Sequence, residues 1–151
     1  MGTQQLLLIV LGVVIVGIAI AVGISIFNNQ AYLANQQAVA QENSTYASMI
    51  LQWWKTPIAQ GGHGLGVLAT GDDDTMASWL GFGADASVAF NTDTGNYAIT
   101  SAVDGSTSVV ITACGTEVRG GDYSRVDTTV NLETSSITSA VTTDENGDPL
   151  D

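Results

Sequence analysis

The sequence has 151 residues, a net charge of −12 and a single cysteine, so it has room for one small domain and cannot form an internal disulfide. Its three basic residues, Lys55, Arg119 and Arg125, are outnumbered by fifteen acidic ones. This balance excludes a nucleic-acid-binding face, because such faces depend on clustered Lys and Arg. No residue before Glu42 is charged, so the chain divides into an uncharged N-terminal part and an acidic C-terminal part.

The first predicted element is an apolar helix over residues 6–27, LLLIVLGVVIVGIAIAVGISIF, which carries no charge. A helix of this length spans roughly 33 Å, enough to cross the hydrocarbon core of a bilayer. No Lys or Arg precedes it, and it is longer than the apolar core of a signal peptide, so we expect it to be retained. A helix that is apolar on all sides must lie in lipid or among other helices.

Small residues recur inside this helix. Gly17 lies four positions before Ala21. Ala19 lies four positions before Gly23 in the same way. Pairs of small residues at this spacing let two helix backbones approach closely, which predicts helix–helix packing. The alternative is that glycine is simply common in membrane helices.

The next segment, residues 28–56, is rich in Ala and Gln and contains no Pro or Gly. We therefore predict one uninterrupted helix from about Thr3 to Lys55, which Pro57 ends. Its apolar residues recur about every seven positions and form a stripe on one side of the helix. The stripe is predicted to pack against the protein's own sheet, and its members are Tyr32, Val39, Tyr46, Ile50 and Trp53.

Residues 57–86 are predicted to form a Gly-rich loop and a short helix. A phosphate cradle is disfavoured because no lysine follows the glycines at the required spacing, so a flexible connection is preferred. Asp72, Asp73 and Asp74 are predicted to cap a helix that runs to Leu80 and ends at Gly81. The alternative, a calcium site, does not match the spaced acids of an EF-hand loop.

Residues 87–151 alternate between apolar and polar residues and predict five short strands, followed by an acidic tail that is expected to be loosely ordered. The strands are expected at 87–91, 96–103, 107–114, 123–133 and 136–143. The Asp104-Gly105 dipeptide between two of them is a hairpin signal. An antiparallel sheet with one apolar face is predicted. Its apolar face is expected to comprise Tyr97, Ile99, Val103, Val126, Val130, Leu132, Ile137 and Val141.

Together these elements predict an α+β fold: a long N-terminal helix, apolar in its first half and amphipathic in its second, packed on a C-terminal antiparallel sheet. The segments are 1–27, 28–56, 57–86 and 87–151. His63 and Cys114 are the sole residues of their types, and no paired-carboxylate or nucleophile motif stands out, so neither an enzyme nor a cofactor or metal site is expected. Asn43 begins an Asn-Ser-Thr sequon and is a possible glycosylation site.

This arrangement resembles that of type IV pilins, through the 6–27 run, its continuation to Lys55 and the strands after Ser87. The resemblance implies a structural subunit, held in the inner membrane before assembly machinery extracts it into a polymer of identical chains on the cell surface. Pilins typically carry a glutamate at the fifth mature position, where this sequence has Gln5. The residues expected to take part in helix-bundle polymerisation are Gln5, Gly12, Gly17, Ala19, Ala21 and Gly23. The alternative is a membrane-anchored binding or minor subunit that forms no homopolymer.

Overall fold

The computed structural model describes residues 2–150, apart from the side chain of Ser101, and the predicted bounds at Met1 and Asp151 lie outside this range. Its first element is one continuous helix, α1 (Gly2–Lys55), of 54 residues. At 1.5 Å per residue its length is roughly 80 Å. The helix passes from its apolar into its amphipathic half without interruption, which confirms the predicted single helix.

Five strands follow and form one antiparallel sheet in the order β1-β2-β3-β4-β5, so each strand pairs with its neighbours in the sequence. The two central pairs, β2 with β3 and β3 with β4, each carry one register shift. The bounds are β1 (Phe90–Asn91), β2 (Gly95–Ala102), β3 (Ser108–Arg119), β4 (Asp122–Asn131) and β5 (Ser136–Asp144). The predicted α+β fold is therefore confirmed.

The second half of α1 packs on one face of this sheet, mainly over β3 and β4. Val39, Ile50 and Trp53 are buried there, and Tyr46 is partly buried against the same core. The sheet contributes the inward-facing residues of the central strands, among them Ile111 and Val126. We call the unit formed by the sheet, the connecting loops and α1 from Tyr32 onward the head.

Three apolar residues predicted for the buried face are exposed instead. Val103, exposed at 59%, lies in the turn beyond β2, after the register shift at Ile99–Ser101. Ile137 and Val141, exposed at 36% and 52%, lie on β5 at the edge of the sheet. They point to the helix side, beside Val130 and Val126, but α1 covers the central strands and leaves this edge open.

The segment between α1 and the sheet contains a 3₁₀ turn (Ile58–Gln60) and α2 (Asp72–Leu80), which ends at Gly81 as predicted. The predicted aspartate cap is wrong, because Gly71 occupies the N-cap position and Asp72 lies inside the first turn. Acidic residues in a first turn still interact favourably with the helix dipole.

The acidic tail after β5 packs on the face of the sheet opposite α1, although the sequence predicted a loosely ordered end. Gly147 is buried and its carbonyl accepts a hydrogen bond from the Asn96 amide at 3.0 Å. The Asp144 carboxylate accepts backbone N–H bonds from Asn146 and Gly147 at 2.8 and 2.9 Å, and Arg125 Nη1 donates to it at 3.0 Å. On the same face Cys114 is buried, and burial raises its thiol pKa to about 12.

Head stability is expected to decrease in acid, partly through Asp144. Burial disfavours its ionised form, but the N–H bonds from the tail and the Arg125 guanidinium outweigh burial and lower its pKa below the ordinary 3.8. A lowered folded-state pKa contributes stability that is present above the unfolded-state pKa and is lost as pH falls through the folded-state value. Urea titrations of the full-length protein in mild detergent, between about pH 5 and about pH 3, would measure this loss.

Asp144→Asn is expected to be less stable at neutral pH and to lose less stability on acidification than the wild type. Asp93→Asn, at an exposed position, is the matched control and should keep the wild-type pH dependence. Parallel pH curves for Asp144→Asn and the wild type would contradict the assignment.

Candidate assembly surface

The N-terminal half of α1 extends from the head and packs against no other part of residues 2–150. Every residue from Gly2 to Gln30 is exposed, and the large apolar side chains of residues 6–27 are 50–71% exposed. The most apolar window of this helix has a mean hydropathy of 3.2 and is 0% buried, and the helix is long enough to cross a membrane. Exposed apolar surface of this extent marks contact with lipid or protein.

The small residues of this half lie on two sides of the helix. At 100° per residue, Gly12, Ala19 and Gly23 fall within about 40° of one another. Gly17 and Ala21 fall on a second stripe, about 160° away. A Cβ added to any of these glycines would meet nothing within 4 Å, so the chain itself does not require glycine there. Helix partners can therefore approach closely on two opposite sides.

Gln5 lies exposed near the N-terminal end of α1. Its amide can donate and accept hydrogen bonds but carries no charge. Ala19 and Ala21 are also exposed. The six residues predicted for helix packing therefore all lie on the free half of α1, and none contributes to the head.

The other half of α1 is fastened to the sheet by polar contacts as well as by the core. Asn35 Nδ2 donates to the carbonyl of Thr94 at 2.8 Å, and its Oδ1 accepts the backbone N–H of Thr116 at 3.1 Å. Gly115 lies opposite: a Cβ there would stand 2.2 Å from Asn35 Oδ1. Near the same level, the Arg119 guanidinium lies 4.8 Å from the centre of the Tyr32 ring, within the range of a cation–π interaction.

Asn43 lies at the centre of this contact and is fully buried. Its Nδ2 lies 3.2 Å from the carbonyl oxygen of Ile111, 2.9 Å from that of Val126 and 2.9 Å from Thr128 Oγ1. N-glycosylation would attach a bulky sugar to this nitrogen. The prediction of a possible glycan at Asn43 is therefore wrong for the folded head, which has no space or free N–H for one.

Glu42 lies seven residues after Asn35, on the same flank of α1, and ties that flank to β2 and to the turn before it. Its carboxylate accepts hydrogen bonds from Tyr97 Oη at 2.5 Å and from Thr94 Oγ1. Burial and this carboxylate raise the pKa of the Tyr97 phenol. Tyr46 completes the flank, with its ring edge-on to Tyr97 and Phe82 at centroid distances of 5.1 and 4.8 Å. The C-terminal half of α1 is therefore fixed to the sheet by polar contacts as well as by apolar packing.

The Gly-rich loop closes the C-terminal end of α1. The backbone N–H groups of His63, Gly64 and Leu65 donate to the carbonyls of Trp53, Thr56 and Trp54 at 2.9–3.0 Å. These donors are therefore not available to a phosphate, and the loop is fastened, although the sequence predicted a flexible connection.

The acidic start of α2 is used within the chain. Asp72 accepts the backbone N–H of Ala69 at 2.6 Å and lies 2.9 Å from His63 Nε2. Asp74 accepts the backbone N–H of Ala86 at 2.9 Å. Within residues 2–150 no group of three or more His, Cys, Asp or Glu residues is placed to hold a metal ion.

The polar residues that attach the helix, Asn35, Glu42 and Asn43, were not identified from the sequence. One signal was available, because Asn43 lies four residues after Val39 and seven before Ile50, in phase with the buried stripe. Comparisons with known protein families, curated proteins and solved structures give no match for this chain. The resemblance to type IV pilins therefore stays a prediction from the sequence.

Proposed function

We propose that the protein is the structural subunit of an extracellular, type IV pilus-like helical filament, polymerising through the apolar half of α1. The observation that carries the proposal is that every residue of 6–27 is exposed, on a helix that continues without a break into a folded, acidic head. Such a surface is unfavourable in water, because burying apolar area stabilises by about 25 cal/mol for each Å². Lipid covers it before assembly, and the helices of other copies cover it in the filament.

Two features favour a polymer over a solitary anchor. An anchor needs an apolar helix but no particular distribution of small residues, whereas α1 has them on opposite sides and can accept neighbours on both. The head carries the net negative charge and the apolar half of the helix carries none, so the heads are suited to the solvent-facing outside of a helix bundle. The partners in this proposal are other copies of the chain, the membrane before assembly and a machinery that extracts the subunit.

The alternative is a membrane-anchored pilin-like binding or minor subunit that forms no homopolymer. The observation that favours it is the length and hydropathy of α1, which suffice to span a bilayer without any partner. Shearing of producing cells distinguishes the two: a filament subunit is released with thin filaments, whereas a monomeric anchored protein stays with the cells.

Gly17→Leu is expected to abolish filament release while the protein still accumulates in the membrane. Leucine is compatible with both a helix and lipid, but its side chain blocks close approach of a second helix at this stripe. The measurement is electron microscopy of sheared material, with immunoblotting of the membrane fraction. Val22→Leu, a similar change at a position that already has a large side chain and lies about 60° or more from both stripes of small residues, is the matched control and should preserve filaments. Normal filament yield from Gly17→Leu would argue against close packing at this stripe.

A further inference from the structure

The hairpin between β3 and β4 lies at the end of the head nearest to the apolar half of α1. Asn43 contacts the backbone of Ile111 in the first half of β3, whereas Tyr32, closer to the N-terminus of α1, contacts Arg119 at the end of β3. β3 therefore runs along α1 toward the apolar half. Its last residue, Arg119, stands level with Tyr32.

The rise of the helix sets the level of this hairpin relative to a bilayer. When residues 6–27 fill the hydrocarbon core, Tyr32 lies about 7.5 Å beyond Phe27 along the helix axis. The headgroup layer on each side of a bilayer is about 5–8 Å thick. An ordinary tilt of about 20° shifts a point about 10 Å from the axis by only about 3 Å. Arg119 therefore stands at the outer boundary of the lipid headgroups, within reach of its long side chain.

An interruption in β3 fastens the end of the hairpin to the helix. The pairing of β3 with β4 stops over residues 115–117, which stand opposite Ser124 alone. Asn35 of α1 accepts backbone N–H groups from this stretch, those of Thr116 at 3.1 Å and Glu117 at 3.4 Å. Bulges of this kind change the direction of a strand and of the side chains beyond it. The end of the hairpin is therefore fixed against α1.

Arg119 is the basic residue whose role the fold does not explain. Arg125 pairs with two carboxylates of the sheet. Lys55 lies in the last turn of α1, where a cation interacts favourably with the helix dipole. Among residues 2–150, no carboxylate lies within ion-pair distance of the exposed Arg119 side chain. Its contact with the Tyr32 ring leaves guanidinium N–H donors available for a further partner.

The surroundings of Arg119 favour a zwitterionic lipid over an anionic one. Glu117 lies two residues before it, and Asp122 stands opposite it across the hairpin, so the end of the hairpin is not basic as a whole. The chain has a net charge of −12, which an anionic membrane surface repels. A zwitterionic headgroup offers a phosphate without a net charge. Val118, 45% exposed, places an apolar side chain beside Arg119 at the same level.

We propose that the end of the β3–β4 hairpin docks on the membrane surface while the subunit is held in the bilayer, with Arg119 donating hydrogen bonds to the phosphate of a zwitterionic phospholipid. Arginine forms charge-assisted and often bidentate hydrogen bonds with phosphate. This inference rests on membrane insertion of residues 6–27, which the proposed filament subunit and the anchored alternative share. Extraction of the subunit into a filament has to break this contact.

The first test measures the level of the hairpin with the full-length protein in vesicles of phosphatidylcholine and phosphatidylethanolamine. Val118→Cys is labelled with a nitroxide, and its collisions with a water-soluble nickel complex are measured by electron paramagnetic resonance. Cys114 should stay unlabelled, because burial raises its pKa to about 12 and the thiolate is the reactive form. Val103→Cys, in the exposed turn at the opposite end of the sheet, is the matched control.

We expect the label at position 118 to collide with the nickel complex several-fold less often than the label at position 103. The two valines are similarly exposed in the head, at 45% and 59%, so the protein itself shields them to a similar extent. Equal collision rates for the two labels would overturn the inference.

The second test assigns the contact to Arg119. Arg119→Gln is expected to lower the equilibrium constant for docking about fivefold, which raises the collision rate of the label at position 118. Lys55→Gln, at the other end of the helix roughly 35 Å from Tyr32, removes the same charge and should leave that rate unchanged. Near-ultraviolet circular dichroism of both variants should match that of the wild type. An unchanged rate in Arg119→Gln would overturn the role of Arg119.

Two further measurements identify the ligand. Vesicles of phosphatidylglycerol should protect the label at position 118 less, and equal protection would overturn the preference for a zwitterionic lipid. Inorganic phosphate should not release the hairpin from the vesicles, and release would assign Arg119 to a soluble anion instead. These measurements need no polymer, so an absence of filaments from producing cells would defeat the proposed function and leave this inference standing.

Discussion

Replacing Asn43 with Asp is expected to destabilise the head strongly. The change keeps the size of the side chain but exchanges an N–H donor for a carboxylate oxygen facing the carbonyl oxygens of Ile111 and Val126, at a fully buried position. A buried charge left without a compensating partner costs about 3–5 kcal/mol. A domain of this size has a total stability of about 5–15 kcal/mol, so the variant should be largely destabilised or unfolded.

The measurement is a urea titration of the full-length protein in mild detergent, followed by near-ultraviolet circular dichroism of the head tryptophans. Thr45→Ala is the matched control, because it removes the same sequon at an exposed position whose hydroxyl donates only to Gln41 of the same helix. Its stability should stay within about 0.5 kcal/mol of the wild type. Equal stability of Asn43→Asp and Thr45→Ala would show that the buried amide is not needed.

The main elements could be predicted because their signals are local and strong. An uncharged stretch of 22 residues (6–27) and a following segment without Pro or Gly leave few alternatives to a long helix. Period-two alternation in the second half of the chain predicts strands in the same way. Both signals depend on the order of apolar and polar residues along the chain, which is present in any single sequence.

The attachment of the helix to the sheet could be predicted only in part. Val39, Ile50 and Trp53 are apolar and were assigned to the interface correctly, whereas Asn43 belongs to a residue type that is mostly exposed. The backbone carbonyls that accept from Asn43 belong to strands 68 and 83 positions away. Which carbonyl faces a helix depends on the register of β3 and β4, and the local sequence does not specify that register.

The exposure of apolar residues at the edge of the sheet could not be predicted from the sequence, for a related reason. Alternation assigns Ile137 and Val141 to the apolar face correctly, and the structure places them beside Val130 and Val126. The alternation does not show which strand lies at the edge of the sheet, or how much of the sheet a helix of about 10 Å diameter covers. Exposure of these residues follows from that limited width. The candidate assembly surface, in contrast, could be predicted from composition alone, because a helix that is apolar on all sides must be covered by lipid or by other helices.

Replacing Val16 with Arg is expected to separate membrane anchoring from assembly. Val16 lies near the middle of the apolar half of α1 and is 58% exposed. An arginine at the centre of a membrane helix costs about 2.5–3.5 kcal/mol on insertion. The other residues of this helix are strongly apolar and can compensate for that cost. The variant should therefore still be found in the membrane fraction.

Its assembly should nevertheless fail, because no copy can supply a counter-ion for the buried arginine. No residue before Glu42 is charged in any copy, so the apolar halves that pack around the arginine contain no carboxylate. In lipid, the arginine side chain can extend toward the membrane interface. Once other helices surround it, its charge is buried and unpaired. Electron microscopy of sheared material should thus show no filaments for Val16→Arg, while Val103→Arg, on an exposed turn of the head, should assemble. If Val16→Arg formed filaments at the wild-type level, the core of the filament could not be this half of α1, and the head would have to carry the polymer by itself.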